Sequence, residues 1–155
     1  MIGKLTEQEI ETLLFAQVLG RLGCHHDHVT YVVPISYAYD GNYIYCHTRD
    51  GMKVQMMRQN PNVCFEVESF TDMANWQTVI AWGIYEELSN DSERNEALQC
   101  LLNRVLPPVS SQTTHLSPSW PFPPAHLNEI KGVVFRISLL KKTGRFEKYQ
   151  QEKTQ

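Results

Sequence analysis

The chain has 155 residues, with 14 Lys and Arg against 17 Asp and Glu. That length fits a single domain over residues 1–155 with a sizeable core. The mildly acidic balance provides no general basic field, so neither a nucleic acid nor an anionic membrane surface is an expected partner. The N-terminus lacks the apolar stretch of a signal peptide and no run of about 18 apolar residues occurs, so a cytoplasmic protein is expected.

The first half of the chain predicts one helix followed by three strands. Thr6 and Glu9 form a capping box at the start of a helix over residues 7–18. The strands follow at residues 19–24, 30–38 and 43–48. The turns between them are too short for crossover helices, so these strands are predicted to pair antiparallel.

The second half alternates helices with strands. A short helix opens at Gly51 and stops at Asn60, because Pro61 disfavours helical geometry in the residue before it. Asn90 caps another helix, whose apolar face includes Val105. The strands are predicted at residues 62–69, 76–88 and 132–140.

The last third also contains an irregular region. Six of the eight prolines fall in residues 107–124, which predicts a surface excursion without regular structure. The polar tail at residues 147–155 is expected to fray. The predicted fold is mainly β (α+β): a small six-stranded antiparallel split β-barrel with peripheral helices.

The cysteines and histidines are the residues of this chain best suited to bind a soft metal ion. The four cysteines form no CxxC pair and are predicted to be reduced thiols: Cys24, Cys46, Cys64 and Cys100. The run Cys24-His25-His26-Asp27-His28 offers ligands for zinc or copper. Adjacent ligands in a tight turn cannot all converge on one ion and no second cluster completes the set, so a solvated hairpin turn is predicted and no metal site.

One stretch is typical of a phosphate-binding site. Two β-rich runs meet at Asp40-Gly41, and the second run leads through His47 and Thr48 to a helix that carries Lys53 in its first turn. The free N–H groups and the dipole at a helix N-terminus favour anions, and a lysine there adds a full positive charge.

Four motifs in and after this stretch carry a family resemblance: Pro34-Ile-Ser-Tyr-Ala-Tyr-Asp-Gly, Ile44-Tyr-Cys-His-Thr, Gly51-x-Lys53 and Asn60-Pro-Asn-Val-Cys-Phe-Glu-Val67. Together they resemble the FMN-binding split-barrel family related to pyridoxamine 5'-phosphate oxidase, in particular its nitroimidazole-resistance-like (nitroreductase) branch. The likeness runs from about Leu19 to Leu88 and resumes weakly at residues 132–137 and 143–147. It implies an FMN cofactor bound in a cleft between two copies of the chain.

The resemblance also implies which residues touch the cofactor. The family's phosphate-binding Arg-Lys pair falls on Met52 and Lys53, so Arg49 or Arg58 is expected to supply the second charge. A flavin-contacting Gln of the family matches Gln77 or Thr78. The expected contacts are Val32, Val33, Pro34, Ile35, Ser36, Tyr37, Tyr45, Cys46, His47, Thr48, Arg49, Gly51, Met52, Lys53, Gln77 and Trp82.

The implied function is an FMN-dependent oxidoreductase that takes electrons from a donor and reduces a small electrophile such as a nitroaromatic. His47 titrates near neutrality and is the expected catalytic proton donor. True pyridoxamine-phosphate oxidase activity is not expected, because the oxidase's arginine and lysine on the first flavin strand are here Val32 and Tyr37 and its C-terminal Trp and Arg have no counterpart.

Three alternatives remain open from the sequence. One is a flavin-binding or sensing module without turnover, since His47 is the only evident acid–base residue. Another is haem, because related split barrels bind haem and the chain has six histidines. A deazaflavin in place of FMN is the third.

A homodimer is also expected. Strand alternation places Ile44 and Cys46 in the barrel, so Tyr43, Tyr45 and His47 face outward. That outer face is too apolar to be left in water, and the resemblance implies that it forms a dimer cleft with one flavin site per copy.

Overall fold

The computed structural model describes residues 1–112, 114–117, 120 and 122–150. The strands are β1 (Ile2–Lys4), β2 (Leu19–His26), β3 (Val29–Ser36), β4 (Ala38–Tyr39), β5 (Tyr43–Thr48), β6 (Asn62–Asp72), β7 (Asn75–Glu87) and β8 (Val133–Glu147). The helices are α1 (Glu7–Ala16), α2 (Met52–Gln59) and α3 (Asp91–Leu102), with a 3₁₀ turn at Leu127–Glu129.

All pairings between these strands are antiparallel, in the order β3-β2-β6-β7-β8-β5-β4, with β1 added to the far end of β8. The sheet curls so that β3 comes to lie against β5, but no ladder joins those two strands. The predicted split barrel is therefore confirmed, and the split lies between β3 and the β5–β4 edge.

The sequence predicted six strands, whereas the described structure has eight; the two that were missed are the shortest. β1 and β4 have three and two residues, too few to show an alternating pattern. β8 also runs to Glu147 instead of stopping near residue 140, because β7 and β1 pair with its second half. The Met1 ammonium donates a hydrogen bond of 2.7 Å to the Lys148 carbonyl, so the expected fraying does not begin at residue 147; residues 151–155 lie outside the described part.

The helices begin where the sequence predicts. Thr6 accepts the Glu9 N–H at 3.2 Å, and the Asn90 side chain accepts from Ser92 and Glu93. α3 ends at Leu102, however, and Val105 beyond it is 90% exposed. The prediction that Val105 continues the buried face of this helix was wrong.

Two apolar clusters stabilise the fold. The larger one fills the barrel and includes Ile44, Cys46 and Phe65. The smaller one lies outside the barrel, where α3 covers the outer side of β5 and β8 and buries Tyr45 and Leu98. The outer face of β5, which the sequence suggested would be left to a partner, is thus covered within the chain.

The proline-rich excursion of residues 107–124 contains neither helix nor strand in its described part. Leu116 anchors it to the smaller cluster. Within the ranges given above, no helix is both long and apolar enough to cross a membrane.

Candidate functional site

Lys53 is the most distinctive polar residue near the split. It lies half-buried in the first turn of α2, and its charge acts on the thiols of both Cys24 in β2 and Cys46 in β5. No carboxylate pairs with its ammonium among the described residues. Gly51 provides no side-chain cap and the first turn has no acidic residue, so this helix N-terminus is also open to an anion.

Arg49 and Arg58 are the two candidates for a second cation beside such an anion, and their ion pairs distinguish them. Arg58 donates to both carboxylate oxygens of Glu87, at 2.8 and 2.6 Å, and to Asp50 at 3.1 Å. Arg49 is exposed and, in the described structure, has no carboxylate partner. Arg49 and not Arg58 is therefore free to join Lys53, with Thr48 directly before Arg49 in sequence.

The β3 strand gives this region an open backbone edge. β3 is the end strand of the sheet, so one of its edges has no partner among the strands that the structure describes. Its side chains alternate: Val32, Pro34 and Ser36 point out of the barrel, whereas Val33 and Ile35 pack against the core. A ligand beside β3 would contact the first three side chains and the free backbone groups.

Three of the residues expected to contact the cofactor have buried side chains. Tyr37 and Cys46 have 0% and Tyr45 has 2% of their surface exposed. Tyr37 donates to the Leu14 carbonyl at 2.7 Å, and Tyr45 donates to Asp40 at 2.9 Å. Burial raises the pKa of each of these groups above its ordinary value. Any contact from these residues to a ligand would have to come from the backbone.

His47 is held beneath the segment that leads into β8. Its Nε2 hydrogen-bonds to the Lys131 carbonyl, which can only accept, so Nε2 carries a proton. Gly132 makes the approach possible: its φ is +102°, and a Cβ there would lie 2.9 Å from Nε2. His47 Nδ1 is buried and finds no hydrogen-bond partner among the described residues.

The protonation of His47 follows from this environment. Burial lowers the pKa of His47, and the positive charges of Arg94 and Arg104 lower it further, while the hydrogen bond to Lys131 opposes them. The ring is therefore neutral over a wider pH range than an exposed histidine, with Nδ1 as a free acceptor.

A second group of expected contacts lies on the outer face of the sheet. Trp82 and Val32 line a depression of about 400 Å³, together with Gly23, Cys64 and Leu140. These last three residues are not among the cofactor contacts expected from the sequence; the glycine in the middle of β2 was the available signal. Gln77 does not belong to this group, because it lies five residues before Trp82 in β7, roughly 17 Å away at 3.4 Å per residue, and points to the other face.

Two other features carry no chemistry for this site. A polar depression of about 430 Å³ between the start of α3 and residues 125–128 contains none of the expected contacts. At the tip of the β2–β3 hairpin, Asp27 and His28 make a turn with positive φ, and no cluster of three His, Cys, Asp or Glu able to hold a metal is found in the described ranges.

The curled antiparallel sheet and the split between β3 and β5 define a class: small antiparallel split barrels. Residues 6–145 match the family model described as pyridoxamine 5'-phosphate oxidase. Since the match spans most of the chain, this chain belongs to that family.

Solved structures agree with this assignment. The chain is 31% identical to an FAD-binding protein from Mesorhizobium loti, with a TM-score of 0.71 over 94% of this chain and 98% of the other. A Bacteroides thetaiotaomicron protein described as a candidate 5-nitroimidazole antibiotic resistance protein has a TM-score of 0.71 at 18% identity, over 94% and 87% of the two chains. At that identity the likeness concerns the fold alone.

One curated relative is an uncharacterized protein of Rhizobium meliloti (strain 1021). It is 37% identical over 84 residues, which cover 54% of this chain and 56% of the relative. The match thus spans about half the length of that protein.

Proposed function

We propose that this chain binds FMN at the split of the barrel and uses it to reduce a small, flat electrophile such as a nitroaromatic. The observation that carries the proposal is the half-buried ammonium of Lys53 at an uncapped helix N-terminus, where no carboxylate of the described residues pairs with it. A buried or half-buried cation without a counter-ion is costly, and a bound phosphate would supply that counter-ion. Arg49 and the Thr48 hydroxyl would complete the phosphate contacts.

The rest of the cofactor would lie along β3. The free backbone edge of this strand offers N–H and C=O groups to the polar side of a flavin ring, and Val32 and Pro34 offer apolar contact. When bound, FMN would supply the redox chemistry, while the residues named here bind and orient it.

His47 is proposed as the proton donor to the reduced substrate. Because Nε2–H is engaged by Lys131, the proton to be given away would be the one on Nδ1 of the doubly protonated ring, and since Nδ1 is buried the ring would have to become exposed to deliver it. Because the pKa of His47 is lowered, the doubly protonated ring is scarce at neutral pH. Where it does form, it is a stronger acid than the imidazolium of an exposed histidine. Turnover that uses it should rise as the pH falls below the ordinary histidine range.

The proposal does not include oxidation of pyridoxamine phosphate. A second phosphate ester would need its own set of forked or charged donors. On the first flavin strand the corresponding positions are Val32, which is apolar, and Tyr37, whose hydroxyl is bonded inside the core.

A homodimer with a flavin site at each copy, in the cytoplasm, is part of the proposal. All four cysteines are free thiols, which suits a reducing compartment. Since α3 already covers the outer face of β5, the dimer has to form through another face of the sheet.

A flavin-binding module without turnover is the second candidate. It is favoured by one observation: the hydroxyls of Tyr37 and Tyr45 and the Nε2–H of His47 are all engaged inside the chain. Such a protein would bind FMN and leave an electron donor unoxidised.

Titration of the purified protein with FMN, FAD and riboflavin tests the cofactor, and NAD(P)H oxidation with a nitroaromatic acceptor tests the activity. We expect FMN to bind at least tenfold more tightly than riboflavin, because riboflavin lacks the phosphate. Equal affinities would refute the phosphate site. Tight FMN binding with no acceptor-dependent turnover with NADH, NADPH or dithionite as donor would favour the second candidate.

A further inference from the structure

One short segment lies over the His47 ring: residues 126–131, called the strap below, which contain the 3₁₀ turn and lead through Gly132 into β8. Backbone bonds of 3.1 Å within that turn hold the strap together. In the described structure, two side chains from outside hydrogen-bond to it. His47 bonds to the Lys131 carbonyl, and Arg94 Nη2 donates to the Ile130 carbonyl at 2.8 Å.

Helix α3 holds the strap at Ile130 in two ways. The Ile130 side chain is 2% exposed and packs in the smaller cluster with Leu98. Arg94 lies one helical turn before Leu98, on the same face of α3, and bonds to the carbonyl of the same isoleucine. No carboxylate pairs with Arg94 among the described residues, so its guanidinium is not drawn away from the strap.

The carbonyl that Arg94 holds is next along the chain to the one that His47 holds. Between consecutive planar peptide units only two dihedral angles can turn, so fixing the Ile130 carbonyl restricts the Lys131 carbonyl as well. On the other side of Lys131, Gly132 has a φ of +102°, a conformation that residues with a side chain rarely adopt. The strap therefore has a fixed point at Ile130 and a flexible one at Gly132.

From this geometry we propose that Arg94 is a positioning residue for His47: its bond to Ile130 keeps the strap closed over the imidazole ring, and release of that bond exposes Nδ1. The inference rests on the proposed function for the use of Nδ1 in turnover. The control of the strap by Arg94 depends on neither the cofactor nor the activity.

The closed strap has a cost that opening relieves. It leaves His47 Nδ1 buried without a hydrogen-bond partner among the described residues, and a buried acceptor without a partner is unfavourable. Burial and the charges of Arg94 and Arg104 lower the pKa of the closed ring, against the hydrogen bond to Lys131. An exposed ring binds a proton more readily, so protonation should favour the open strap.

Arg104 provides a matched control. Its positive charge also acts on His47, but its hydrogen bonds go to the carbonyls of Leu101 at 2.9 Å and Tyr37 at 3.3 Å, neither of which belongs to the strap. Arg104→Met therefore removes a charge near the ring and leaves the strap held. Arg94→Met removes both the charge and the bond. Arg94→Lys keeps a charge and a donor for the Ile130 carbonyl.

The rate at which diethyl pyrocarbonate modifies His47 in the full-length protein at pH 7.5, followed by peptide mass spectrometry, tests the proposal. The reagent attacks an unprotonated ring nitrogen, which is the buried Nδ1 here. The exposed His28 is the internal reference, and we expect parent His47 to react at least about tenfold more slowly. Arg94→Met should raise the His47 rate about tenfold, the effect of losing a hydrogen bond from a charged donor. Arg94→Lys should retain most of the protection, and Arg104→Met all of it.

The pKa of His47, followed by NMR of protein labelled with ¹⁵N-histidine, is the second readout. Both methionine variants should raise it because each removes a positive charge, and Arg94→Met should raise it more because the ring also becomes exposed. If the proposed function holds, nitroaromatic reduction by Arg94→Met should begin to rise at a higher pH than in the parent.

A parent His47 that reacts as fast as His28, a folded Arg94→Met variant with the parent rate, or equal acceleration in Arg104→Met would overturn the proposal. Circular dichroism establishes folding. If Arg94→Met does not fold, Gly132→Ala displaces the strap from its other end, since its Cβ would lie 2.9 Å from His47 Nε2. An unchanged rate in folded Gly132→Ala would also overturn the proposal. Acceleration in Arg94→Met by a protein without turnover would support the positioning role and count against the proposed function alone.

Discussion

Two basic residues of α2 show how surroundings decide what a charge can do. Arg58 in its last turn is held by Glu87 from β7 and by Asp50 from the preceding loop. Lys53 in its first turn has no such partner in the described structure, and its charge acts on the thiols of Cys24 in β2 and Cys46 in β5. The arginine therefore fixes the helix to the sheet, whereas the lysine is the residue to which the proposed function assigns the phosphate.

Replacing Lys53 with Gln should weaken FMN binding by about ten- to hundredfold, the effect of losing one charge-assisted contact of ~1.5–3 kcal/mol. Fluorescence titration with FMN measures the loss. Riboflavin affinity should change little, because the lost contact is to the phosphate. Lys148→Gln, an exposed lysine at the other end of the chain, is the matched control and should bind FMN like the parent. An unchanged FMN affinity in Lys53→Gln would exclude this lysine from the phosphate site.

His47 should make the protein less stable in mild acid. Its folded pKa is lowered, chiefly by burial, so the unfolded chain binds the proton more readily. The contribution is fully present above the unfolded pKa of about 6.5 and is lost as the pH falls through the lower folded pKa. Urea unfolding at pH 8, 7, 6 and 5 should therefore show a smaller decline in His47→Gln, whose amide can still donate to Lys131. Parallel curves for the two proteins would contradict the assignment.

At the scale of elements, β2 contains two glycines whose surroundings are opposite. Gly20 points into the barrel, where Phe65 and the Glu66 carbonyl occupy the space that a side chain would need. Gly23 points outward over open surface. The first glycine is required by packing inside the chain, and the second is not.

Gly20→Ala should lower the free energy of unfolding by about 1–3 kcal/mol, because Phe65 is fully buried and cannot move away from the new methyl group. Gly23→Ala should change it by no more than ~1 kcal/mol, in the stabilising direction if at all, since the unfolded chain loses freedom and no contact is strained. Urea unfolding, at a protein concentration where both variants are monomeric, measures the difference. Equal losses in the two variants would mean that β2 lies differently in the sheet.

At the scale of the whole molecule, the two apolar clusters share the same strands. β5 contributes Ile44 to the barrel and Tyr45 to the outer cluster, and β8 contributes Ile137 and Val134 in the same way. Neither cluster can lose its strands without disturbing the other. The chain should therefore unfold as one cooperative unit.

Leu98→Ala tests this coupling. Leu98 is fully buried between α3 and the barrel, so its truncation should cost about 2–5 kcal/mol. The loss should shift one transition that tryptophan fluorescence and far-ultraviolet circular dichroism report at the same urea concentration. Val109→Ala, at a 93% exposed position, is the control and should have no effect. Separate transitions in the two signals would show that α3 melts from an intact barrel.

Much of the fold could be predicted because its causes are local. Six of the strands, the caps at Thr6 and Asn90, the stop at Asn60-Pro61 and the placement of Lys53 in a first helical turn all follow from neighbouring residues. The four family motifs are likewise short stretches, all within residues 34–67. The short strand β1 could not be predicted, because only its partner β8, more than 140 residues later, makes it a strand.

The sequence by itself determined the alternation of β5 and the cationic start of α2, since each depends on residues within a few positions of one another, and it determined the split-barrel class through a series of such local strand patterns. Only the tertiary structure decided that Arg58 is engaged by Glu87, that α3 covers Tyr45, and that Gly23 lies in one row with Trp82. These contacts join residues 29 to more than 50 positions apart. Such pairs are fixed by strand order and register, which the burial of the whole core selects and no local pattern encodes.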